Sequence, residues 1–147
     1  MTAATLDDLP GWAADLLASA RVGHLGLVDD DGRPRVLPVT FAVHAGAVWS
    51  AVDAKPKRRP GAELARVRWL RARPQATFAV DRYDDDWTRL AWVQLLADAE
   101  VLDVAGHGAA LAALAARYAP YRERPPGGPL LRLGVRRALW WRATTDI

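Results

Sequence analysis

The chain contains no cysteine, which excludes a disulfide scaffold, a thiolate metal site and a cysteine nucleophile at one stroke. It has no uninterrupted apolar stretch approaching the ~18–20 residues of a membrane span. Its first ten residues carry Asp7 and Asp8 where a secretory signal would need basic residues and then an apolar run. By elimination these absences point to a cytoplasmic protein with no membrane partner. Lysine is also scarce: the only two, Lys55 and Lys57, lie in Lys55-Pro56-Lys57-Arg58-Arg59, and arginine supplies nearly all the other positive charge. Internal repeats and long linkers are missing as well.

What is present suits one globular unit. A length of 147 residues, 51% of them hydrophobic and 25% charged, is ordinary for a single domain with one core, and the expectation is one domain over residues 1–147. The net charge of +3 permits a polyanion partner. No nucleic-acid-binding motif accompanies it, so a nucleic-acid partner is not expected.

Periodicity predicts a first helix over residues 10–20, with Trp12, Leu16 and Leu17 on its apolar face. A strand follows over 21–28, closed by Asp29-Asp30-Asp31-Gly32, a run of turn formers. The next strand, over 35–43, contains Pro38 and is preceded by Pro34; since proline donates no ladder hydrogen bond, an edge position or a bulge is predicted. After His44-Ala45-Gly46 a third strand runs over 47–52, and the three form an antiparallel meander. An arginine-rich amphipathic helix over 61–73 stops before Pro74. Strands are predicted over 75–81 and 88–102, the second long enough to carry a bulge near Ala97-Asp98. An alanine-rich helix over 105–118 places Leu111, Leu114 and Tyr118 on one face and ends at Pro120, and a last strand spans 130–142. Six strands with helices between them, without regular strand–helix alternation, argue for a mainly β (α+β) fold. A closed or half-closed antiparallel barrel removes the sheet edges.

The basic cluster follows a strand and precedes a helix, a setting that favours anions, and Thr40 and Ser50 offer hydroxyl donors nearby. From the cluster alone, a solvated charge run is the plainer reading. The triplet Asp84-Asp85-Asp86 lacks the staggered oxygens of a hard-cation site and reads as a turn paired with Arg82 and Arg89. His24, His44 and His107 lie apart in sequence without metal-ligand spacing, and no metal is expected.

The ordered series Gly32-Arg33-Pro34-Arg35-Val36-Leu37-Pro38-Val39-Thr40-Phe41, Val48-Trp49-Ser50-Ala51-Val52-Asp53, Lys55-Pro56-Lys57-Arg58, Leu70-Arg71-Ala72-Arg73-Pro74-Gln75-Ala76-Thr77-Phe78-Ala79-Val80-Asp81 and Asp84-Asp85-Asp86-Trp87-Thr88-Arg89-Leu90-Ala91-Trp92-Val93 resembles the split β-barrel superfamily of pyridoxamine-phosphate-oxidase-like and flavin or deazaflavin oxidoreductases. It is most similar to a small actinobacterial branch that uses the deazaflavin coenzyme F420.

That resemblance implies a six-stranded split barrel of the FMN-binding type, a homodimer, and a cofactor lying across the dimer seam. It assigns cofactor contacts to Val36, Pro38, Val39, Thr40, Ser50, Ala51 and Val52, with Lys55, Lys57 and Arg58 at the phosphate. A tryptophan of the last strand, Trp140 or Trp141, comes near the cofactor edge; Trp141 is the residue selected, and a one-residue register decides between them. Independently of the resemblance, Tyr83, Trp87 and Trp92 fall near or on the fifth strand, where aromatic rings stack on a tricyclic ring or shape a substrate pocket, with ordinary core as the alternative, above all for Trp92. The implied activity is F420-dependent hydride transfer to an unidentified small electron-poor molecule, its accompanying proton coming from solvent or Tyr83. FMN is the alternative cofactor, and a non-catalytic cofactor- or tetrapyrrole-binding role the alternative function.

Overall fold

A computed structural model of the chain describes residues 1–3, 5–52 and 64–144. Strand β1 (Thr2–Ala3) and helix α1 (Gly11–Ser19) precede β2 (Gly23–Val28), β3 (Pro34–Val39), β4 (Ala42–His44) and β5 (Ala47–Ala51). Helix α2 (Ala65–Ala72), β6 (Gln75–Arg82), β7 (Ala91–Leu102), α3 (Gly108–Arg117), α4 (Ala119–Glu123) and β8 (Leu130–Arg142) complete the order. The strands form one antiparallel sheet, β3-β2-β6-β7-β8-β5-β4, and β1 pairs with the C-terminal half of β8 beyond the reach of β5.

Six strands were predicted and eight are present among the described residues. One of the additions is the short β1. The other arises because the run predicted over 35–43 breaks at Thr40-Phe41 into β3 and β4. No meander forms: β3 pairs with β2 at one end of the sheet, and β4 pairs with β5 at the other. A single stretch of chain therefore joins both ends, giving an antiparallel half-barrel with a split. Proline explains part of this, since Pro34 and Pro38 lack the N–H a second neighbour would need, and β3 is indeed an edge strand.

The break is also held from outside. Tyr118, at the end of α3, accepts the Phe41 backbone N–H on its hydroxyl at 3.1 Å and donates toward the carbonyls of Arg21 at 2.9 Å and Phe41 at 3.1 Å. The Phe41 ring is fully buried and meets Phe78 edge-on at 4.7 Å. Arg117 lies over the Phe41 ring at 4.6 Å and hydrogen-bonds to the carbonyl of Ala20.

Period-two alternation sends one face of β2, β6 and β7 into the main core, where Leu25, Phe78, Val80, Val93 and Leu95 pack with Leu17 of α1. A second apolar cluster joins Trp49 and Ala51 of β5 to Leu114 of α3 and Tyr121 of α4. The irregularity expected in β7 near Ala97-Asp98 lies between Leu96 and Ala97. The extra residue belongs to the partner strand, because Leu96 pairs with Arg137 and Ala97 with Val135, leaving Arg136 unpaired. The alanine-rich helix ends at Arg117, and Pro120 sits in the first turn of α4, where its missing N–H costs nothing.

Candidate cofactor-binding face

Directly opposed strand residues share a face of the sheet, so the register defines what the outer surface presents. Val36 opposes Gly26, Gly26 opposes Thr77 and Thr77 opposes Leu96. One row along, Pro38 opposes His24, His24 opposes Ala79, Ala79 opposes Gln94 and Gln94 opposes Leu139. Near the far end Trp92 lies between Asp81 and Trp141. This face leaves apolar groups in water: Val36 is 68% exposed and Trp141 40%. The small residues Gly26 and Thr77 form the floor of a groove of about 500 Å³, bordered by Val36 and Leu96 and by the arginines Arg35 and Arg136.

Of the residues assigned to the cofactor, Thr40 and Ser50 are in contact, and the described ones do not all face one way. Val36 and Pro38 point outward, whereas Val39 alternates into the main core. Thr40 is half-buried at the break, with its hydroxyl 2.7 Å from that of Tyr121. Ser50 is buried and donates its hydroxyl to the Thr40 carbonyl at 2.7 Å. Ala51 is buried in the second cluster; Val52 is buried too, and its N–H donates to the Pro129 carbonyl at 3.1 Å. Side chains available at the outer surface are thus those of Val36 and Pro38, with Thr40 beside them. Lys55, Lys57 and Arg58 lie outside the described residues.

The register also separates the two C-terminal tryptophans. Trp140 packs against the main core, and Trp141 faces outward opposite Trp92. Trp92 is half-buried on that outer face and belongs to neither apolar cluster. Tyr83 and Trp87, in the connection from β6 to β7, are 70% and 68% exposed. This connection is held by its own acids. Asp84 accepts the Asp86 N–H at 2.8 Å and pairs with Arg89 at 3.4 Å, while the Tyr83 hydroxyl donates to Asp85 at 3.1 Å. Arg82, expected to pair with an acid here, donates instead to the Arg89 carbonyl at 2.7 Å. The hydroxyl and backbone N–H of Thr88 hold the Asp86 carboxyl below its ordinary value.

Two arginines of α2 and its C-terminal cap turn to the β2–β3 connection. Arg68 pairs with Asp30 at 3.0 Å, and Arg73 donates to the Asp29 carbonyl at 3.1 Å. Asp29 organises that turn by accepting the N–H groups of Asp31 and Arg33, both at 2.9 Å, with Arg35 at 3.4 Å. The Arg33 N–H is the chief cause of a carboxyl value below the ordinary one, and burial opposes it.

Sequence reasoning placed Tyr118 only as a core residue and gave Tyr121 no role. The usable signal was the chemistry of a buried tyrosine, whose hydroxyl needs a partner.

Solved structures share this architecture at low identity. A conserved hypothetical protein of Mycobacterium tuberculosis aligns with a TM-score of 0.73 at 21% identity, over 91% of this chain and 84% of its own. A heme-binding protein of Mycobacterium smegmatis aligns at 0.71 and 23%, over 93% of this chain but 56% of its own, so the present chain spans little more than half of that protein. A FAD-binding protein of Mesorhizobium loti aligns at 0.65 and 20%, over 95% of both chains. No curated protein matches the sequence. The sequence model of pyridoxamine 5'-phosphate oxidase matches residues 12–138, nearly the whole half-barrel, and the chain belongs to that family.

Proposed function

We propose that the protein is a homodimeric oxidoreductase that holds a flavin-type cofactor along β3, with the deazaflavin F420 as the favoured ligand and FMN as the alternative. The observation that carries this reading is the apolar outer face. Val36, Leu96 and Trp141 remain in water on a regular sheet, as a surface does when a second subunit or a planar ring covers it. Val36 and Pro38 offer a ring an apolar strand to lie on, and Thr40 offers a hydroxyl at its end. The preference for F420 rests on the lysine–arginine cluster, whose cations suit a phosphodiester with a carboxylate-bearing tail.

When bound, a reduced deazaflavin supplies a hydride to an electron-poor organic acceptor. The protein's part is to orient the rings against β3 and exclude water at the seam. Fluorescence titration of the purified protein with F420 and with FMN tests the assignment. Replacing Lys57 with Ala is expected to weaken cofactor binding by about 1–3 kcal/mol through loss of a charge-assisted contact. Selective saturation by FMN would overturn the deazaflavin assignment, and indifference to both ligands would overturn the reading altogether. A second reading, a non-catalytic tetrapyrrole carrier, draws on the fold shared with the M. smegmatis heme-binding protein. It predicts affinity without turnover on quinone, enone or biliverdin-like acceptors.

A further inference from the structure

The chain has three histidines, and tertiary structure brings two of them together away from β3. His44 ends β4, His107 precedes α3, and the indole of Trp49 from β5 lies between them. The Trp49 ring centroid is 5.5 Å from that of His107 and 6.4 Å from that of His44, with planes tilted by 46° and 57°. Trp49 is buried and fixed, because its Nε1–H donates to the His44 carbonyl at 2.9 Å. From β8, Arg132 brings its guanidinium carbon 5.9 Å from the indole and binds Glu100 through Nη1 at 3.0 Å. These side chains and Leu102 line a groove of about 520 Å³. Trp49, Arg132, Glu100 and Leu102 lie on the same outer face of the sheet as Leu96, further along β7, and this groove shares no lining residue with the one beside β3.

The chemistry of the walls defines what fits. Both imidazoles are half-buried, and among the described residues neither ring makes a hydrogen bond. Each therefore leaves its ring nitrogens available for hydrogen bonding at the groove. The groove wall that these rings form offers a flat molecule an aromatic surface to stack against. Arg132 uses one nitrogen on Glu100, and the rest of its planar fork remains for a carboxylate. A metal ion does not suit: among the described residues no three histidine, aspartate or glutamate side chains converge as a ligand set. We propose that this groove binds a small aromatic carboxylate, its ring against Trp49 and His107 and its acid group on Arg132. The site is independent of the flavin-type reading.

Salicylate is a suitable probe, and the three histidines provide an internal control. In carbon–proton NMR spectra of the intact protein, the imidazole signals of His44 and His107 are expected to shift together and saturably with salicylate. His24, on β2 and outside this groove, should stay in place. Arg132→Gln should weaken the probe by about tenfold or more. Glu100→Gln, a milder change at an exposed position, should tighten it by removing a competing carboxylate. No saturable shift, equal movement of His24, or unchanged affinity in the folded variants would overturn the proposal.

Discussion

Replacing Tyr118 with Phe isolates the hydroxyl that holds the barrel's split. The substitution keeps the ring, its burial and its contact with Arg21, whose guanidinium carbon lies 4.6 Å from the ring centroid. It removes the acceptor of the Phe41 N–H and the proton directed at the carbonyls of Arg21 and Phe41. A buried N–H left without a partner costs about 1–3 kcal/mol, and the lost bond to a carbonyl adds about 1 kcal/mol. The sum is a destabilisation of about 2–4 kcal/mol. For a domain of this size each kcal/mol lowers the melting temperature by roughly 2–4 °C. Urea denaturation should show a reduced midpoint with an unchanged slope, since the surface exposed on unfolding is the same. A Tyr118→Phe protein within about 0.5 kcal/mol of the parent would refute the claim that this hydroxyl holds the break.

A side chain at Gly23 has no room, since a Cβ there would lie 2.1 Å from the tip of the buried Phe78 ring; Gly23→Ala is expected to cost about 1–3 kcal/mol by overpacking, read from the urea midpoint, and a neutral result would mean that the ring relocates freely. Asp29 has a lowered folded-state value, so its share of stability is complete above the unfolded carboxyl value of about 3.9 and is lost as pH falls through the lower folded value. Unfolding measured from pH 5 downward should therefore show a shallower acid decline for Asp29→Asn than for the parent, and identical slopes would remove Asp29 from the acid response. Val36→Glu puts a charge in the middle of the proposed subunit seam, and sedimentation should show a shift from dimer to monomer; an unaltered dimer would place the seam elsewhere, and a monomeric parent would defeat the homodimer.

Local patterning determined a great deal by itself. The strand over 130–142 and the helix bounds near α1 follow from alternation and from proline placement, both of which act between near neighbours in the chain. For the proline-bearing strand an edge or a bulge was legible, and the edge is what forms, because a missing N–H acts at its own position whatever surrounds it. The order of blocks sufficed to suggest the family. Three things were decided only by tertiary structure. The run over 35–43 breaks because Tyr118, 77 positions from Phe41 in sequence, supplies a partner that no local pattern contains. Trp141 rather than Trp140 faces outward because the ladder with β7 sets the pleat, and a shift of one residue would exchange them. His44 and His107, scattered in sequence, meet around Trp49 because the sheet folds back under α3; side-chain chemistry is written in the chain, but which groups share a cavity is settled by long-range packing.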